Sequence, residues 1–310
     1  MAEPATTPQG KQSPELRPNS QLGERVRFSI VVPCHNAPRD VLACLNSVSR
    51  TISASLDEMI IVDDASAPET QRIIEESLGI FPSGNVHRFD ERVGFPKAAN
   101  FGAGKAKGKY IILLNSDTIV YRGWLDEFEA LFQTNSRVGV IGPLSNNAGF
   151  AQSFQFRNLT RALRRTLPIP HAPTTKCRSR RSRTVIECKD LNGFCLAIRS
   201  KVLTQVGLFD PHAYGIGYGE ELDFFARLAK TRWRAGIATS VYVHHSKQKS
   251  FTNDEVSAQK KANLKQVKEK YGRRHFLKIW VSRLAAKLQV RINLEFGNKR
   301  VHRRTESGLS

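Results

Sequence analysis

Short apolar runs alternate with helix-like segments over the first third of the chain. The runs at 28–33, 59–62 and 110–114 predict buried strands, because each is brief and consists mainly of β-branched or aliphatic residues. A shorter strand is predicted at 86–89. Segments 38–48, 68–78 and 96–107 each begin with Pro, which is favoured in the first turn of a helix. The alternation predicts an α/β fold whose mostly parallel sheet carries helices on both faces.

The remainder of the chain is less regular. Residues 1–25 are polar and rich in Pro, which predicts a disordered leader, and 157–189 predict an exposed basic loop insertion. Order is expected again at 190–198, with a helix at 221–231 and a strand at 237–244. A helical tail should follow, with apolar side chains recurring four residues apart, at Phe276, Trp280, Leu284, Leu288 and Ile292. We therefore expect one α/β domain over 26–252 and a basic, amphipathic helical tail over 253–310.

The net charge of +20 is concentrated in two segments. Residues 157–189 contain ten Lys/Arg and one acid, and residues 256–304 contain fifteen Lys/Arg and two acids. The rest of the chain is near neutral, so the basicity belongs to the insertion and the tail. This distribution favours docking to an anionic surface, which could be lipid headgroups, nucleic acid or a phosphorylated acceptor. Solubility alone is the simpler explanation.

Several classes of protein are disfavoured by composition. The five cysteines form no C-x-x-C pair, which argues against a zinc site or a disulfide framework and fits a reducing cytosol. No uninterrupted apolar run reaches about 18 residues, so no membrane-spanning helix is expected. The N-terminal residues lack the basic-then-apolar order of a secretory signal.

Polar residues follow the predicted strands. They are Pro33-Cys34-His35-Asn36, Asp63-Asp64, the segment from Arg92 to Asn100, and Asn115-Ser116-Asp117. The carboxyl ends of parallel strands meet at one edge of a sheet, where ligands of such folds bind. These groups could bind a base, a ribose and phosphates, with a carboxylate left for a metal. Each alone is a weak signal, since Asp after a strand is often only a helix cap.

As a set, the motifs resemble the family 2 glycosyltransferases of the GT-A fold, a Rossmann-like architecture. The likeness is greatest to rhamnosyltransferase-like members of bacterial surface-polysaccharide pathways. The segments that carry it, in chain order, are SIVVPCHN, IIVDDAS, RVGFPKAAN, YIILLNSDT, LNGFCLAIR, GLFDPHAYGIGYGEELDF and VYVHHSKQKSF. They extend from Phe28 to Phe251, which is most of the chain outside its two ends.

The resemblance implies a donor site for a nucleotide-sugar. The positions Pro33, His35, Asn36 and Asp64 would hold the nucleobase, and Arg92, Lys97 and Asn100 would approach the nucleotide and sugar. Family members commonly have Asn where this chain has Arg92. Asn115-Ser116-Asp117 matches the D-x-D motif with Asn in place of the first Asp. Asp117 would therefore be the main carboxylate ligand of a divalent metal, Mg²⁺ or Mn²⁺.

Two further motifs imply a second metal ligand and a base. In the pattern H-x-x-x-x-S-F, His245 would bind the metal, and His244 is the alternative; strand alternation allows only one of the two to reach it. The stretch 219–223 resembles G-E-D-x-D, in which Glu221 would be the catalytic base. Glu220 and Asp223 remain alternatives for that role. On the acceptor side we expect Glu220 with the aromatic residues Phe194 and Tyr218, and Tyr214 is a further aromatic candidate.

The expected activity is inverting transfer of a hexosyl group from a nucleotide-sugar to a saccharide or lipid-linked saccharide, in cell-surface polysaccharide assembly. The expected location is cytoplasmic and peripheral on the inner face of the membrane. Two alternatives stay open: a basic nucleic-acid-binding protein, favoured by a pI near 10.1, and a metal-dependent nucleotidyltransferase. Against the first, aromatic residues are not interleaved with the Arg clusters, and no recognised nucleic-acid-binding motif is present, so no nucleic-acid partner is expected.

Overall fold

The computed structural model describes residues 26–79, 81, 84–149, 151–153, 184–215, 217–246 and 253–296. Within the last helix, side chains are described for 258–293. The predicted leader, residues 157–183 of the predicted insertion, and Ser250 and Phe251 of the histidine motif lie outside these residues, as do 297–310.

The described residues form ten strands and eight helices. The strands are β1 (Phe28–Cys34), β2 (Asp57–Asp64), β3 (Gly84–Phe89), β4 (Tyr110–Leu114), β5 (Thr118–Ile119), β6 (Val138–Leu144), β7 (Val185–Glu187), β8 (Cys195–Arg199), β9 (Arg234–Tyr242) and β10 (His244–His245). The helices are α1 (Pro38–Ser49), α2 (Pro68–Leu78), α3 (Phe95–Lys105), α4 (Trp124–Thr134), α5 (Ser200–Val206), α6 (Pro211–Tyr214), α7 (Glu220–Leu228) and α8 (Asn253–Phe296).

Eight of the strands form one mixed sheet in the order β3-β2-β1-β4-β8-β6-β9-β7. Strands β3, β2, β1 and β4 are mutually parallel, and so are β6 and β9. Strand β8 runs antiparallel to both of its neighbours, and β7 is an antiparallel edge strand. The predicted α/β fold with a mostly parallel sheet is therefore confirmed.

Burial on both faces explains the apolar runs in the sequence. Every residue of β1, β2, β4 and β6 is buried. One face of the sheet packs against α1, α2 and α4, through residues such as Leu45, Ile74 and Phe128. The opposite face packs against α3, α5 and α7, through residues such as Ala99, Val202 and Phe224. Strands covered on both sides lose the alternation of apolar and polar positions, as observed.

Three parts of the fold differ from the sequence prediction. Helix α4 and strand β6, which the irregular middle of the chain obscured, complete the core. Residues Val185–Glu187, at the end of the predicted insertion, form β7 because they pair with β9. The predicted strand at 237–244 is divided: β9 stops at Tyr242, and His244–His245 leaves the main sheet to pair with β5.

Helix α8 lies against the α/β body and is interrupted at Gly272, whose φ of 75° and ψ of 163° are not helical. Before the break, Lys270 Nζ and Tyr271 Oη bond to Asp223 of α7 at 2.7 and 2.6 Å. After it, Ser282 Oγ accepts a hydrogen bond from the Lys189 amide at 2.9 Å. Among the helices that the structure describes, none combines the length and apolar character needed to span a bilayer.

Candidate active site

A cavity of about 980 Å³ opens where β1, β2 and β4 end. The predicted site residues that line it are Pro33, His35, Asp64, Arg92, Asn115, Ser116, Asp117, Phe194, Tyr218, Glu220, Glu221 and His245. The sheet topology explains the gathering of the first seven, since parallel strands bring their carboxyl ends, and the loops that follow, to one edge. The cavity is large enough for a drug-sized ligand.

The loops after β1 and β2 are bonded to each other. His35 Nδ1 lies 2.6 Å from the Asp64 carbonyl oxygen, and Asn36 Oδ1 accepts a hydrogen bond from the Ala67 amide at 2.8 Å. Asn36 and Ala65 both have a φ near 54°, a strained conformation for residues other than Gly that is concentrated at functional sites. This network holds both strand ends in place at the floor of the cavity.

Asp64 positions the loop that precedes α3. Its two carboxylate oxygens accept hydrogen bonds from the amides of Val93 and Gly94, at 2.6 and 2.9 Å. Arg92 immediately precedes Val93 in this loop, and it is exposed at the cavity. The carboxylate therefore fixes the backbone that presents Arg92 to the site.

Three residues predicted for donor binding lie outside the lining of the cavity that the described residues form. Lys97 is exposed on α3, and the Asn36 side chain bridges the two loops. Asn100 joins α3 to the Phe209 backbone through two hydrogen bonds, of 2.8 and 3.0 Å. In the structure, the side chains of Asn36 and Asn100 hold parts of the frame around the cavity together.

The two-stranded pairing of β5 with β10 places Asp117 beside His245. His245 pairs with Thr118, and the Ser246 amide donates to the Asp117 carbonyl oxygen at 2.9 Å. As a result, His245 Nε2 lies 3.3 Å from Asp117 Oδ2. His245 Nδ1 donates to the Asn147 carbonyl oxygen at 2.7 Å. His244, the alternative ligand, is not part of the cavity lining among the described residues.

These donors suit a divalent cation. Because Nδ1 carries the proton that is donated to Asn147, Nε2 of a neutral His245 has a lone pair that faces the carboxylate oxygen of Asp117. A cation between these two atoms would be bound by both of them. Two adjacent ligands at about 2.1 Å from a metal stand about 3 Å apart, close to the observed 3.3 Å. Asn115 Oδ1 is buried without a hydrogen-bond partner among the described residues. Burial and then the charge of Asp117 raise the pKa of Asp40, which also lines the cavity.

These residues fit a cation but do not surround one by themselves. No group of three or more His, Cys, Asp or Glu side chains in the described part of the chain could hold a metal alone. Asp117 and His245 would therefore leave several positions open to water and to phosphate oxygens of a substrate. Mg²⁺ is commonly bound in this way, by one or two carboxylates plus substrate phosphates.

Glu220 and Glu221 also line the cavity, from the start of helix α7. Burial raises the pKa of Glu221, and burial together with the charge of Glu221 raises that of Glu220. Glu221 Oε1 accepts a hydrogen bond from the Gly193 amide at 3.2 Å. Asp223 faces away from the cavity and contacts Arg227, Lys270 and Tyr271. The Glu pair thus contains carboxylates that are more basic than usual, which suits proton abstraction near neutral pH.

The loop at 190–194 holds the Glu221 side chain in place. The contacts that do so were not predicted from the sequence. A Cβ on Gly193 would lie 2.5 Å from Glu221 Oε1, so only Gly permits this approach. Asp190 accepts from Arg283 Nε of α8, which lies 2.9 Å from both carboxylate oxygens. Arg283 also lines the cavity. A cation in the tail and an acid before LNGFCLAIR were visible in the sequence, but nothing local linked them.

Two of the predicted aromatic side chains also line the cavity. Phe194 is buried and stacks on His245, with ring centroids 5.0 Å apart and an interplanar angle of 12°. Tyr218 lines the cavity from a backbone with φ of 71°, between Gly217 and Gly219. Burial and then the charges of Glu220 and Glu221 raise the pKa of its phenol. Tyr214 is fully buried in the core.

Comparison with known proteins gives consistent relatives. A Caenorhabditis elegans protein, "Probable N-acetylgalactosaminyltransferase 6", is 25% identical over 249 residues, which are 73% of this chain and 38% of that protein. The Staphylococcus aureus poly(ribitol-phosphate) beta-N-acetylglucosaminyltransferase TarS is 25% identical over 107 residues, which are 34% of this chain and 18% of TarS. The chain thus spans less than half the length of either relative.

Two solved structures share the fold. A TarS crystal structure in complex with UDP-GlcNAc gives a TM-score of 0.52 at 16% identity, covering 78% of this chain and 65% of that chain. The mannosyltransferase PcManGT from Pyrobaculum calidifontis, in complex with GDP-Man and Mn²⁺, gives 0.58 at 16% identity, covering 92% and 80%. The model of the family named "Glycosyl transferase family 2" matches residues 29–207. Because that match covers more than half of the 310 residues, the chain belongs to glycosyl transferase family 2.

Proposed function

We propose that the chain transfers a hexosyl group, with inversion, from a nucleoside diphosphate sugar to a hydroxyl of a saccharide or lipid-linked saccharide. The observation that carries this proposal is the shared cavity, which Asp117, His245 and Glu221 all line. A charged leaving group and an acceptor hydroxyl can therefore occupy one space. The relatives crystallised with UDP-GlcNAc and with GDP-Man support this class of donor.

The reaction is a single displacement at the anomeric carbon. The acceptor oxygen forms the new glycosidic bond while the bond from the anomeric carbon to the diphosphate oxygen breaks. The nucleoside diphosphate departs with that electron pair. Glu221 takes the proton of the acceptor hydroxyl as general base, and Gly193 holds its carboxylate in place.

The donor side must accommodate the growing negative charge of the diphosphate. Asp117 and His245, with Asn115 beside them, would hold Mg²⁺ or Mn²⁺, which acts as a Lewis acid on the leaving diphosphate. Arg92 brings a guanidinium to the same side of the cavity. Pro33, His35 and Asp64 form the end of the cavity proposed for the base and ribose.

The acceptor is proposed to belong to cell-surface polysaccharide assembly. TarS, a relative whose name states transfer to poly(ribitol-phosphate), supports a polymeric acceptor. The proposal places the reaction in the cytoplasm, at the inner face of the membrane. Tyr218 brings an aromatic ring to the proposed acceptor side, which suits the apolar face of a sugar ring. Phe194, also proposed for this role, is buried and packs against His245.

A donor screen tests the proposal. Purified protein with Mn²⁺ is incubated with individual UDP-, GDP- and dTDP-sugars, and release of nucleoside diphosphate is measured with Glu221→Gln as the control. We expect hydrolytic turnover with one donor class, in which water takes the place of the acceptor hydroxyl, and a released sugar whose anomeric configuration, read by NMR before mutarotation, is opposite to that of the donor. Retained configuration would contradict the inverting mechanism. If no donor is turned over and none raises the melting temperature of the protein, the proposed activity is wrong.

A further inference from the structure

The part of α8 after Gly272 carries two apolar faces on opposite sides. Ile279, Ala286 and Val290 are buried against the α/β body. Eight large hydrophobic side chains are exposed among the described residues, and six of them lie on this part of the helix, each 45–61% exposed. We call these six the outer stripe: Leu277, Trp280, Val281, Leu284, Leu288 and Ile292. A contiguous apolar patch of this kind marks an interaction surface.

Helical geometry separates the two faces. At about 100° per residue, Leu277, Leu284 and Leu288 fall within about 40° of one another and roughly opposite Ala286. Lys278 and Lys287 lie about 90° to either side of this line. The outer stripe is thus an apolar band with Lys278 and Lys287 at its two edges and Arg291 on its own side, one turn beyond Leu288. Apolar side chains flanked by basic ones are typical of helices that lie in a membrane interface.

Contacts with the α/β body fix the rotation of α8 about its axis, so the outer stripe stays on the solvent side. The ion pair between Arg283 and Asp190 fixes the inner face, and so does the bond from the Lys189 amide to Ser282. The exposed residues are therefore a stable surface of the folded protein.

Charge decides which occupant fits the stripe. Residues 273–293 contain six Lys/Arg and no acid. Pairing two copies through this face would set basic edges against basic edges, which is unfavourable. An anionic bilayer accepts the apolar side chains between its acyl chains and meets the Lys and Arg side chains at its headgroups.

We infer that the outer stripe docks α8 in the interface of an anionic lipid bilayer and so directs the mouth of the active-site cavity toward the lipid surface. Trp280 belongs to both features, since it is on the stripe and also lines the cavity with its neighbours Phe276 and Ile279. Docking would bring a lipid-linked acceptor to the side of the cavity that holds Glu221. That consequence rests on the proposed function, whereas the docking itself does not.

Vesicle flotation tests the docking with the full chain. Leu284→Glu/Leu288→Glu places two charges in the stripe, and the matched control Ala285→Glu/Gln289→Glu adds the same charge at exposed neighbours outside it. On vesicles of phosphatidylcholine mixed with phosphatidylglycerol, we expect the stripe variant to partition about tenfold or more less than wild type, because two apolar side chains no longer insert. The control should keep most of its binding. An equal loss in both variants would overturn the stripe and leave only electrostatic adsorption.

Tryptophan fluorescence gives an independent readout. The chain has three Trp, and Trp124 and Trp233 are buried in the core, so only Trp280 can enter lipid. We expect a blue shift on anionic vesicles that is absent in Trp280→Phe. An unchanged emission of wild type with vesicles would refute insertion. Light scattering tests whether the stripe instead binds a second copy. If wild type is a dimer that does not float with vesicles and the stripe variant is a monomer, the stripe is a dimer interface and the docking proposal is wrong.

The two proposals fail separately. Nucleoside diphosphate release without vesicles measures the transfer site alone, and the stripe variant should retain it. If wild type does not float with vesicles but releases nucleoside diphosphate normally, the docking proposal is wrong and the proposed reaction stands. Normal flotation of a chain that turns over no donor would refute the reaction and leave the docking intact.

Discussion

The two sides of the active-site cavity are held in place by different parts of the chain. On the donor side, Asp64 and Asn36 connect loops that follow neighbouring strands of the sheet. On the acceptor side, Glu221 is fixed by Gly193, and the loop containing Gly193 is tied through Asp190 to Arg283 in the last helix. The proposed donor side is therefore built by the sheet, whereas the proposed acceptor side depends on a helix that packs onto it.

This difference means that donor binding and transfer should respond to different mutations. Changes near Glu221 or Arg283 should lower turnover and leave nucleotide affinity unchanged. Changes at Asp117 or His245 should lower nucleotide affinity first. The four predictions that follow test this separation, beginning with the largest expected effect.

Glu221→Gln should reduce the transfer rate by about 10² to 10⁴, because the amide cannot accept the proton of the acceptor hydroxyl. Donor affinity, measured by calorimetric titration with nucleoside diphosphate and Mn²⁺, should stay at the wild-type value. Glu220→Gln is the matched control and should cost less. A larger loss in Glu220→Gln than in Glu221→Gln would move the role of base to Glu220.

Asp117→Ala should weaken Mn²⁺-dependent binding of a nucleoside diphosphate by about a hundredfold, since removal of the carboxylate forfeits several kcal/mol of charge stabilisation. Calorimetric titrations with and without Mn²⁺ measure this directly. The affinity without metal should be nearly the same in both proteins. Equal Mn²⁺-dependent affinities in wild type and variant would remove Asp117 from the metal site.

His245→Ala and His244→Ala form a matched pair of adjacent substitutions. We expect the first to weaken Mn²⁺ binding about 10- to 100-fold in the presence of nucleotide and the second to leave it nearly unchanged. The reason is that only His245 faces Asp117, at 3.3 Å. Manganese paramagnetic resonance titration reports the free ion. A larger loss of Mn²⁺ binding in His244→Ala than in His245→Ala would assign the metal-binding role to His244.

Arg283→Gln should shift the pH dependence of kcat/KM while changing its maximum value little. Burial raises the pKa of Glu221 above the ordinary 4.5, and the nearby charge of Asp190 raises it further. Without Arg283, that charge loses its partner and the Glu221 pKa rises again. Because the base acts when ionised, the acid limb of kcat/KM should move to higher pH.

A severalfold loss is therefore expected at acid pH and little loss at alkaline pH. Arg274→Gln, an exposed change of equal charge on the same helix, should leave the limb in place. A uniform loss at every pH in Arg283→Gln would indicate a purely structural contribution of this ion pair.

The donor side was largely predictable from the sequence. Runs such as 110–114 identify buried strands, and parallel strands bring Asp64 and Asn115 to one edge without further information. The family was recognised from motifs, and this assignment is confirmed by the family model. The likeness to rhamnosyltransferases remains a prediction, as do the boundaries of the domain.

The acceptor side was less predictable because its contacts join distant parts of the chain. No local pattern pairs Asp190 with Arg283, or Asp223 with Lys270, although each residue is visible in the sequence. Helix α4 carries helical apolar spacing at Leu125, Phe128 and Phe132, but this signal was missed beside the irregular middle. The outer stripe was visible as a period of four, and only packing shows which side of it faces the body.

The pairing of β5 with β10 has a consequence for folding. The two strands lie far apart in the sequence, at Thr118–Ile119 and His244–His245, and form a ladder of two residue pairs outside the main sheet. Closing so long a loop for so few hydrogen bonds is entropically costly, so this ladder should form only after the large sheet has assembled. Nucleotide-dependent Mn²⁺ affinity would then serve as a sensitive assay of complete folding, because a chain with an intact sheet but an open ladder would lack it.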